Sequence, residues 1–200
     1  MTPGGGIDDG WYLDIAGLAR ATPWLHGFFL VFTDLGLVLL ACLSVVAWWR
    51  ARGGDAGRMA AALCVPLSVT VGAGLSNLVK IAVREPRPCI RFPAVPTVAP
   101  CDFATDYGFP SNHVTLAMAA AVALLLADRR IGSGALAVAA LIGFSRVYLG
   151  AHYVHDVLAG AVLGTLVALA GLLVNGPLTA VVGRARTGRW RPFLGPESGR

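Results

Sequence analysis

The chain has 200 residues, of which 56% are hydrophobic and only 14% are charged, and its mean hydropathy is +0.68. About a quarter of the residues of a soluble domain are charged, so this composition excludes an ordinary soluble domain and predicts an integral membrane protein. The net charge of +5 does not indicate nucleic-acid binding, because the basic residues form short clusters between apolar stretches, as the positive-inside rule expects.

The first 25 residues are expected to lie outside the hydrocarbon core. Residues 1–10 contain four glycines, a proline and two aspartates, and we expect a mobile tail there. Residues 11–25 mix aromatic and aliphatic residues with Asp14 and Arg20, which predicts an amphipathic segment lying at the membrane interface.

Five apolar stretches follow and predict an all-α integral membrane protein with a bundle of about five transmembrane helices. They cover residues 28–49, 59–83, 114–127, 135–149 and 154–174. A helix needs about 20 residues to span a bilayer, so the first, second and fifth are long enough, while the third and fourth are short. The bundle defines a predicted transmembrane domain of residues 26–175, and residues 176–200 are expected to form a basic cytoplasmic tail.

The arginines predict the orientation of this bundle. Ten of them fall near alternate span ends and in the tail, at Arg50, Arg52, Arg58, Arg129, Arg130, Arg184, Arg186, Arg189, Arg191 and Arg200. The positive-inside rule places that side in the cytoplasm, so the N-terminus is expected outside and the C-terminus inside.

The loop of residues 84–110 is then extracytoplasmic. It holds six prolines, through which no helix can continue, and we expect an ordered lid, with a plain connector as the alternative. Cys89 and Cys101 could close a short ring worth roughly 3 kcal/mol if this side is oxidising, and two free thiols are the alternative.

Two motifs at the outer span ends suit an anion. Lys80 and Arg87 are seven residues apart, which is two helical turns, and an ammonium with a guanidinium matches the oxygens of a phosphate. For Lys80 alone, a snorkelling residue at a helix end is the alternative. In Pro110-Ser111-Asn112-His113, Ser111 suits a helix N-cap whose free N–H groups attract anions, and His113 can protonate a leaving oxygen or be an ordinary interfacial histidine.

The third motif is Ser145-Arg146, five residues, His152, three residues and Asp156. On a helix His152 and Asp156 are i,i+4 neighbours, so the carboxylate can hold the imidazole in one tautomer and raise its nucleophilicity. His113, His152, His155 and Asp156 could instead ligate zinc. The arginines and the lysine around them favour an anion, and we expect neither a metal nor another cofactor.

Together these motifs resemble the three signatures of the type 2 phosphatidic acid phosphatase (PAP2) superfamily, which includes the vanadium haloperoxidases. The resemblance covers roughly residues 26 to 175 and is strongest to the bacitracin-resistance type of undecaprenyl diphosphate phosphatases, on Thr33-Asp34-Leu35-Gly36, Glu85-Pro86-Arg87-Pro88 and Gly143-Phe144-Ser145-Arg146. It departs at Asn112, where the family most often has glycine, and at Val154-His155, where such phosphatases often have proline.

The resemblance implies that His152 attacks phosphorus to form a phosphohistidine, that Asp156 orients it and that His113 protonates the departing lipid oxygen. It also implies that no metal takes part. The phosphate oxygens would be bound by Lys80, Arg87, Ser111, Arg146 and the backbone N–H of Asn112.

The expected protein is therefore a lipid phosphatase of the bacterial plasma membrane that acts at the outer leaflet. A polyprenyl diphosphate is favoured over phosphatidic acid or phosphatidylglycerol phosphate, and Arg91, Asp102 and Asp106 are expected to influence that choice. The expected partners are the lipid phosphate and membrane lipids, and the oligomeric state stays open. A haloperoxidase is disfavoured by the five spans. A non-catalytic binder or transporter would be supported by Asp34 in the first span, although Asp34 also suits a hydrogen bond between helices.

Overall fold

The computed structural model describes residues 7–101 and 106–196. Over those ranges the chain is helical and has no β-strand, which confirms the predicted all-α class. A 3₁₀ turn at Pro23–Leu25 separates the first two of eight α-helices. The helices are α1 Ile7–Ala21, α2 His26–Ala51, α3 Ala56–Val83, α4 Pro88–Arg91, α5 Asn112–Ala127, α6 Arg129–Tyr148, α7 Val154–Arg186 and α8 Arg191–Leu194.

Four segments in the described part of the chain are long and apolar enough to cross a membrane. They are Pro23–Ala51, Ala56–Arg91, Arg129–Tyr148 and Val154–Arg186. The third predicted span, residues 114–127, corresponds to α5, which is apolar but has only 16 residues, fewer than the roughly 20 that cross a bilayer. It packs against α2, α3, α6 and α7. The bundle is therefore built around its shortest apolar helix.

Two glycines on α7 allow it to approach α5 closely. A Cβ atom on Gly164 would lie 2.4 Å from the carbonyl oxygen of Thr115, and one on Gly160 would lie 2.7 Å from that of Ser111. Small residues are enriched where membrane helices pack backbone to backbone, since nothing larger fits between them. The glycines thus bring the start of α7 against the start of α5, and Asp156 and Ser111 lie at those two starts.

The end of α3 turns the chain toward the same place. Arg84 adopts a left-handed conformation with φ of 56° and its N–H caps the carbonyl of Lys80 at 2.9 Å. Pro86 and Pro88 follow, and Pro88 is the first residue of α4. The helix therefore ends one turn after Lys80, and the chain returns with Arg87 on the side of the bundle that carries Ser111.

The loop of residues 84–110, which we call the lid, is packed over this end of the bundle in its described part. Cys89 and Cys101 form a disulfide with their Cα atoms 5.8 Å apart. Phe92 is buried and stacks on Tyr12 of α1 with ring centroids 5.8 Å apart. Asp102, one of the residues expected to influence substrate choice, lies outside the described residues.

Several helix boundaries differ from the sequence expectation. Helix α1 begins at Ile7, so residues 7–10 are helical rather than part of a tail, and residues 1–6 lie outside the described ranges. Asp8 and Asp9 lie in its first turn, where carboxylates are favoured by the helix dipole. Helix α6 begins at Arg129 rather than near residue 135, because the Asp128 carboxylate accepts hydrogen bonds from the first-turn N–H groups of Arg130 and Ile131 at 3.0 and 3.3 Å.

Helix α7 is longer than the predicted last span. It continues past residue 174 to Arg186, so the first part of the expected tail belongs to the bundle. Buried Val182 and partly buried Leu178 pack with Met59 and Ala60 of α3, and this apolar contact extends the helix. Arg200 lies outside the described residues.

Candidate active site

His152 and Asp156 are fully enclosed at the start of α7. Nδ1 of His152 lies 3.3 Å from Oδ2 of Asp156, and the two side chains are 2% and 0% exposed. The same carboxylate oxygen accepts a hydrogen bond from the backbone N–H of Tyr153, the N-cap of α7, at 2.9 Å. Asp156 therefore caps its own helix and contacts the imidazole as predicted, although His152 lies in the loop before α7 and not on the helix.

His152 is surrounded by positive charge. The pKa of His152 is lowered well below its ordinary value of 6.5, first because it is buried and then because Arg146, Arg87, Lys80 and His113 lie near it. Both effects disfavour the imidazolium form. The structure thus assembles the predicted residues of all three motifs around His152, although they are separated by up to 76 positions in the chain.

Arg87 lies beside the backbone of the His152 loop. Its Nη1 donates to the carbonyl oxygen of Ala151 at 3.0 Å, and its Nε donates to the carbonyl oxygen of Asp106 at 3.1 Å. Its Nη2 forms an ion pair with Oδ2 of Asp106 at 2.5 Å. The side chain is 9% exposed, so the guanidinium is held by the lid on one side and by the His152 loop on the other.

Lys80 is buried in the last turn of α3 and points to the lid. Its Nζ donates to the carbonyl oxygen of Tyr107 and lies 3.5 Å from that of Gly108. A Cβ atom added to Gly108 would lie 3.2 Å from Oδ2 of Asp156, which is a tight contact. The lid backbone therefore fills the space between Lys80 and the carboxylate that orients His152.

The start of α5 presents backbone N–H groups and one unsatisfied hydroxyl. Ser111 is the N-cap of α5 and is fully buried, and its Oγ has no hydrogen-bond partner among the described residues. Its backbone N–H donates to the carbonyl oxygen of Asp156 at 3.1 Å. The Asn112 side chain turns to α3, where its Oδ1 accepts from Ser76 at 2.5 Å and its Nδ2 donates to Asn77 at 3.0 Å. The Asn112 side chain is therefore occupied, and its backbone N–H is the group that could bind an anion.

Two contacts tie the site to α2. Nε2 of His113 lies 3.2 Å from Oδ1 of Asp34, and Nη1 of Arg146 lies 3.4 Å from Oγ1 of Thr33. The Asp34 side chain is 75% exposed and that of His113 is 30% exposed, so this is the open side of the site. Asp34 was considered from the sequence either as a sign of a transporter or as a partner in a hydrogen bond between helices. The structure shows the second, a hydrogen bond between Asp34 of α2 and His113 of α5.

Three acidic residues and His155 form a cluster that sequence reasoning missed. Nε2 of His155 lies 3.2 Å from Oδ1 of Asp156 and 2.9 Å from Oε1 of Glu85, and its Nδ1 lies 2.7 Å from Oδ2 of Asp8. His155 thus contacts the carboxylate oxygen that His152 does not use. The sequence signal was the Asp8-Asp9 pair before the amphipathic segment, but nothing local shows that α1 folds back onto α7.

Among the described residues, three members of this cluster form the one group whose ligand atoms are close enough to hold a metal ion. Ligand atoms of Glu85, His155 and Asp156 lie within 4.8 Å of one another. His113 and His152, which complete the zinc set considered from the sequence, are not members of this group. The four residues of that alternative are therefore not assembled into one set of ligands.

Comparison with protein families gives one match that covers more than half of the chain. The model of the PAP2 superfamily matches residues 61–180. This range includes all three motifs, from Lys80 to Asp156.

Individual proteins of known sequence or structure are also similar. The chain is 29% identical over 153 residues to the undecaprenyl-diphosphatase BcrC of Bacillus subtilis, and the match covers 76% of each protein. It superposes on the crystal structure of Aquifex aeolicus LpxE with a TM-score of 0.63 and 26% identity, over 80% of this chain and 94% of that one. A PAP2-type phosphatidylglycerolphosphate phosphatase from B. subtilis superposes with a TM-score of 0.61 over 85% of both chains, and its 24% identity supports the shared fold alone.

Proposed function

The chain belongs to the PAP2 superfamily and is a multi-pass membrane lipid phosphatase, and on this basis we propose its substrate, its mechanism and the leaflet on which it acts. The proposed substrate is a polyprenyl diphosphate such as undecaprenyl diphosphate. This is supported by the relative BcrC of B. subtilis, whose name is undecaprenyl-diphosphatase and which aligns over 76% of the chain.

The proposed reaction has two steps. In the first, Nε2 of His152 attacks the terminal phosphorus while its Nδ1 faces Asp156, and a P–N bond replaces the P–O bond to the lipid monophosphate. The bonding electrons leave with the bridging oxygen, and His113 donates a proton to it. In the second, water attacks the phosphohistidine and gives a proton to His113, which releases inorganic phosphate and restores both histidines.

The charge of the transferred phosphoryl group is stabilised by groups that are already in place. Lys80, Arg87 and Arg146 supply fixed positive charge near His152, where the field of preorganised groups provides most of the catalysis in phosphoryl transfer. These groups supply the positive charge that a metal ion would otherwise provide, so the proposed reaction uses no metal.

One observation carries this proposal more than any other. The buried Oγ of Ser111 has no hydrogen-bond partner among the described residues, and it belongs to the N-cap of α5. Buried hydroxyls of native proteins usually have a hydrogen-bond partner. An anion such as a phosphate would accept this hydrogen bond at the positive end of α5.

The outer leaflet is proposed as the side of action. The disulfide between Cys89 and Cys101 closes the lid over the site, and disulfides persist in oxidising compartments such as the bacterial periplasm. The arginines Arg50, Arg58, Arg129 and Arg130 line the other end of the bundle, which the positive-inside rule assigns to the cytoplasm. The proposed location is therefore a bacterial plasma membrane, with the site facing out.

The test is phosphate release by the purified protein in detergent. We expect hydrolysis of undecaprenyl diphosphate that EDTA does not reduce and that His152→Ala abolishes. Phosphatidic acid and phosphatidylglycerol phosphate, assayed side by side, should be poorer substrates by kcat/KM. Higher kcat/KM for either glycerolipid would overturn the proposed substrate, and loss of activity in EDTA would overturn the metal-free mechanism.

A further inference from the structure

A basic cavity lies at the end of the bundle opposite His152. It has a volume of about 560 Å³ and is lined by four arginines, Asp128 and four alanines. It lies where α2 and α5 end and where α3 and α6 begin, whereas Ser111 and Lys80 mark the other ends of α5 and α3. The arginines of the cavity are Arg50, Arg58, Arg129 and Arg130.

The positive charge of this cavity exceeds its negative charge. Asp128 is its one acidic lining residue among those described, and this carboxylate is already used. Its Oδ1 caps α6 through the N–H groups of Arg130 and Ile131, and its Oδ2 lies 3.4 Å from Nη1 of Arg50. Within the described ranges, the exposed side chains of Arg58, Arg129 and Arg130 have no hydrogen bond or ion pair.

Other arginines at the same end of the bundle are satisfied within the protein. Arg52 donates to the carbonyl oxygen of Pro192 at 2.5 Å and lies 4.5 Å from the ring centroid of Trp49. Arg186 is buried and donates to the carbonyl oxygens of Gly54 and Ala51 at 2.7 and 3.3 Å. The arginines of the cavity differ from these because they converge on an open space.

We propose that this cavity binds the phosphate of an anionic phospholipid from the leaflet opposite the active site. Guanidinium groups bind phosphate oxygens in bidentate geometry, and basic pockets between membrane helices on the cytoplasmic side hold lipid head groups. The small side chains of Ala47, Ala51, Ala62 and Ala127 leave room for the glycerol carbons of the lipid. Free inorganic phosphate has the same chemistry, so its binding is measured separately.

The experiment measures thermal unfolding of the whole chain in detergent at constant ionic strength. Dioleoyl phosphatidylglycerol, dioleoyl phosphatidylcholine or inorganic phosphate is added to the wild type, to R129Q/R130Q and to R184Q/R189Q. The last variant removes the same charge from exposed arginines near the same end that do not line the cavity. A ligand at tenfold its Kd should raise Tm by about 3–6 °C for a chain of this size.

We expect phosphatidylglycerol to raise the Tm of the wild type and of R184Q/R189Q, and phosphatidylcholine to leave it unchanged. In R129Q/R130Q, phosphatidylglycerol should produce at most half of this rise in Tm. An equal rise with inorganic phosphate alone would overturn the lipid source and retain the anion site. A rise that persists in R129Q/R130Q, or that is lost equally in R184Q/R189Q, would overturn the site.

Two further measurements keep the test decisive. Arg58→Gln changes a cavity arginine on a different helix, so it should also reduce the rise if R129Q/R130Q does not fold. Phosphatase activity in detergent should be unchanged in R129Q/R130Q, because the cavity is at the other end of the bundle. Loss of lipid binding with normal turnover therefore separates this inference from the proposed function.

Discussion

The carboxylate of Asp106 lies 2.5 Å from the guanidinium of Arg87, one of the cations proposed to bind phosphate. The lid therefore places an anion on Arg87 when no substrate is bound. A phosphate that binds Arg87 must compete with this carboxylate, whose side chain is 46% exposed and can move aside.

Asp106→Asn should strengthen inhibition by inorganic phosphate. Ion pairs with an exposed partner are worth up to about 1 kcal/mol, so we expect Ki for phosphate to fall by up to about fivefold. The control is Asp14→Asn, an exposed carboxylate on α1. An unchanged or higher Ki in Asp106→Asn, measured against undecaprenyl diphosphate, would show that Asp106 does not compete with phosphate.

His155→Gln should lower kcat while leaving KM nearly unchanged. His155 contacts the Asp156 oxygen that does not face His152, so its loss should loosen the carboxylate without removing a phosphate ligand. The contact is an ion pair with one exposed partner and contributes up to about 1 kcal/mol, which corresponds to up to about fivefold in kcat. Asp8→Asn, which acts through Nδ1 of His155, should have a smaller effect in the same direction. A rise in KM with constant kcat would assign His155 to substrate binding instead.

The pH dependence of kcat/KM should be bell-shaped, with its acid limb below pH 6.5. The pKa of His152 is lowered by burial and then by Arg146, Arg87 and Lys80, so the nucleophile stays neutral to a lower pH than an ordinary histidine. Activity is lost on the acid side when His152 becomes protonated and on the alkaline side when His113 loses its proton. A flat profile from pH 5 to 8 would contradict the assignment of two histidines to these roles.

Gly164→Ala should destabilise the bundle, whereas Gly176→Ala should not. A Cβ atom on Gly164 would lie 2.4 Å from a carbonyl oxygen of α5, and one on Gly176, in the same helix, has nothing within 4 Å. Forcing extra volume into a packed interface costs about 1–3 kcal/mol. Thermal unfolding of both variants in detergent measures the difference, and equal Tm values would show that the approach of α7 to α5 can relax.

The apolar runs and the three motifs could be predicted because each is defined by residues that are close together in the sequence. A run of about 20 apolar residues has few alternatives to a span. The spacing of His152 and Asp156 correctly predicted their contact, although His152 lies in the loop two residues before α7 begins, and Ser111 precedes a helix as an N-cap residue should.

The remaining features depend on contacts between distant positions. Asp8 and His155 are 147 residues apart, and no periodicity shows that α1 folds over α7. The Arg87–Asp106 ion pair depends on the path of the lid, which its prolines make irregular. The extension of α7 to Arg186 depends on Val182 packing with α3, which a hydropathy window cannot register.

The most direct test of the central claim is to trap the phosphorylated enzyme. The purified protein is mixed with undecaprenyl diphosphate labelled with ³²P in its terminal phosphate, quenched in alkali within milliseconds and mapped by mass spectrometry. The proposed mechanism predicts label on His152 in the wild type and neither label nor turnover in His152→Ala. Label on any other residue, or turnover by His152→Ala at the rate of the wild type, would contradict it.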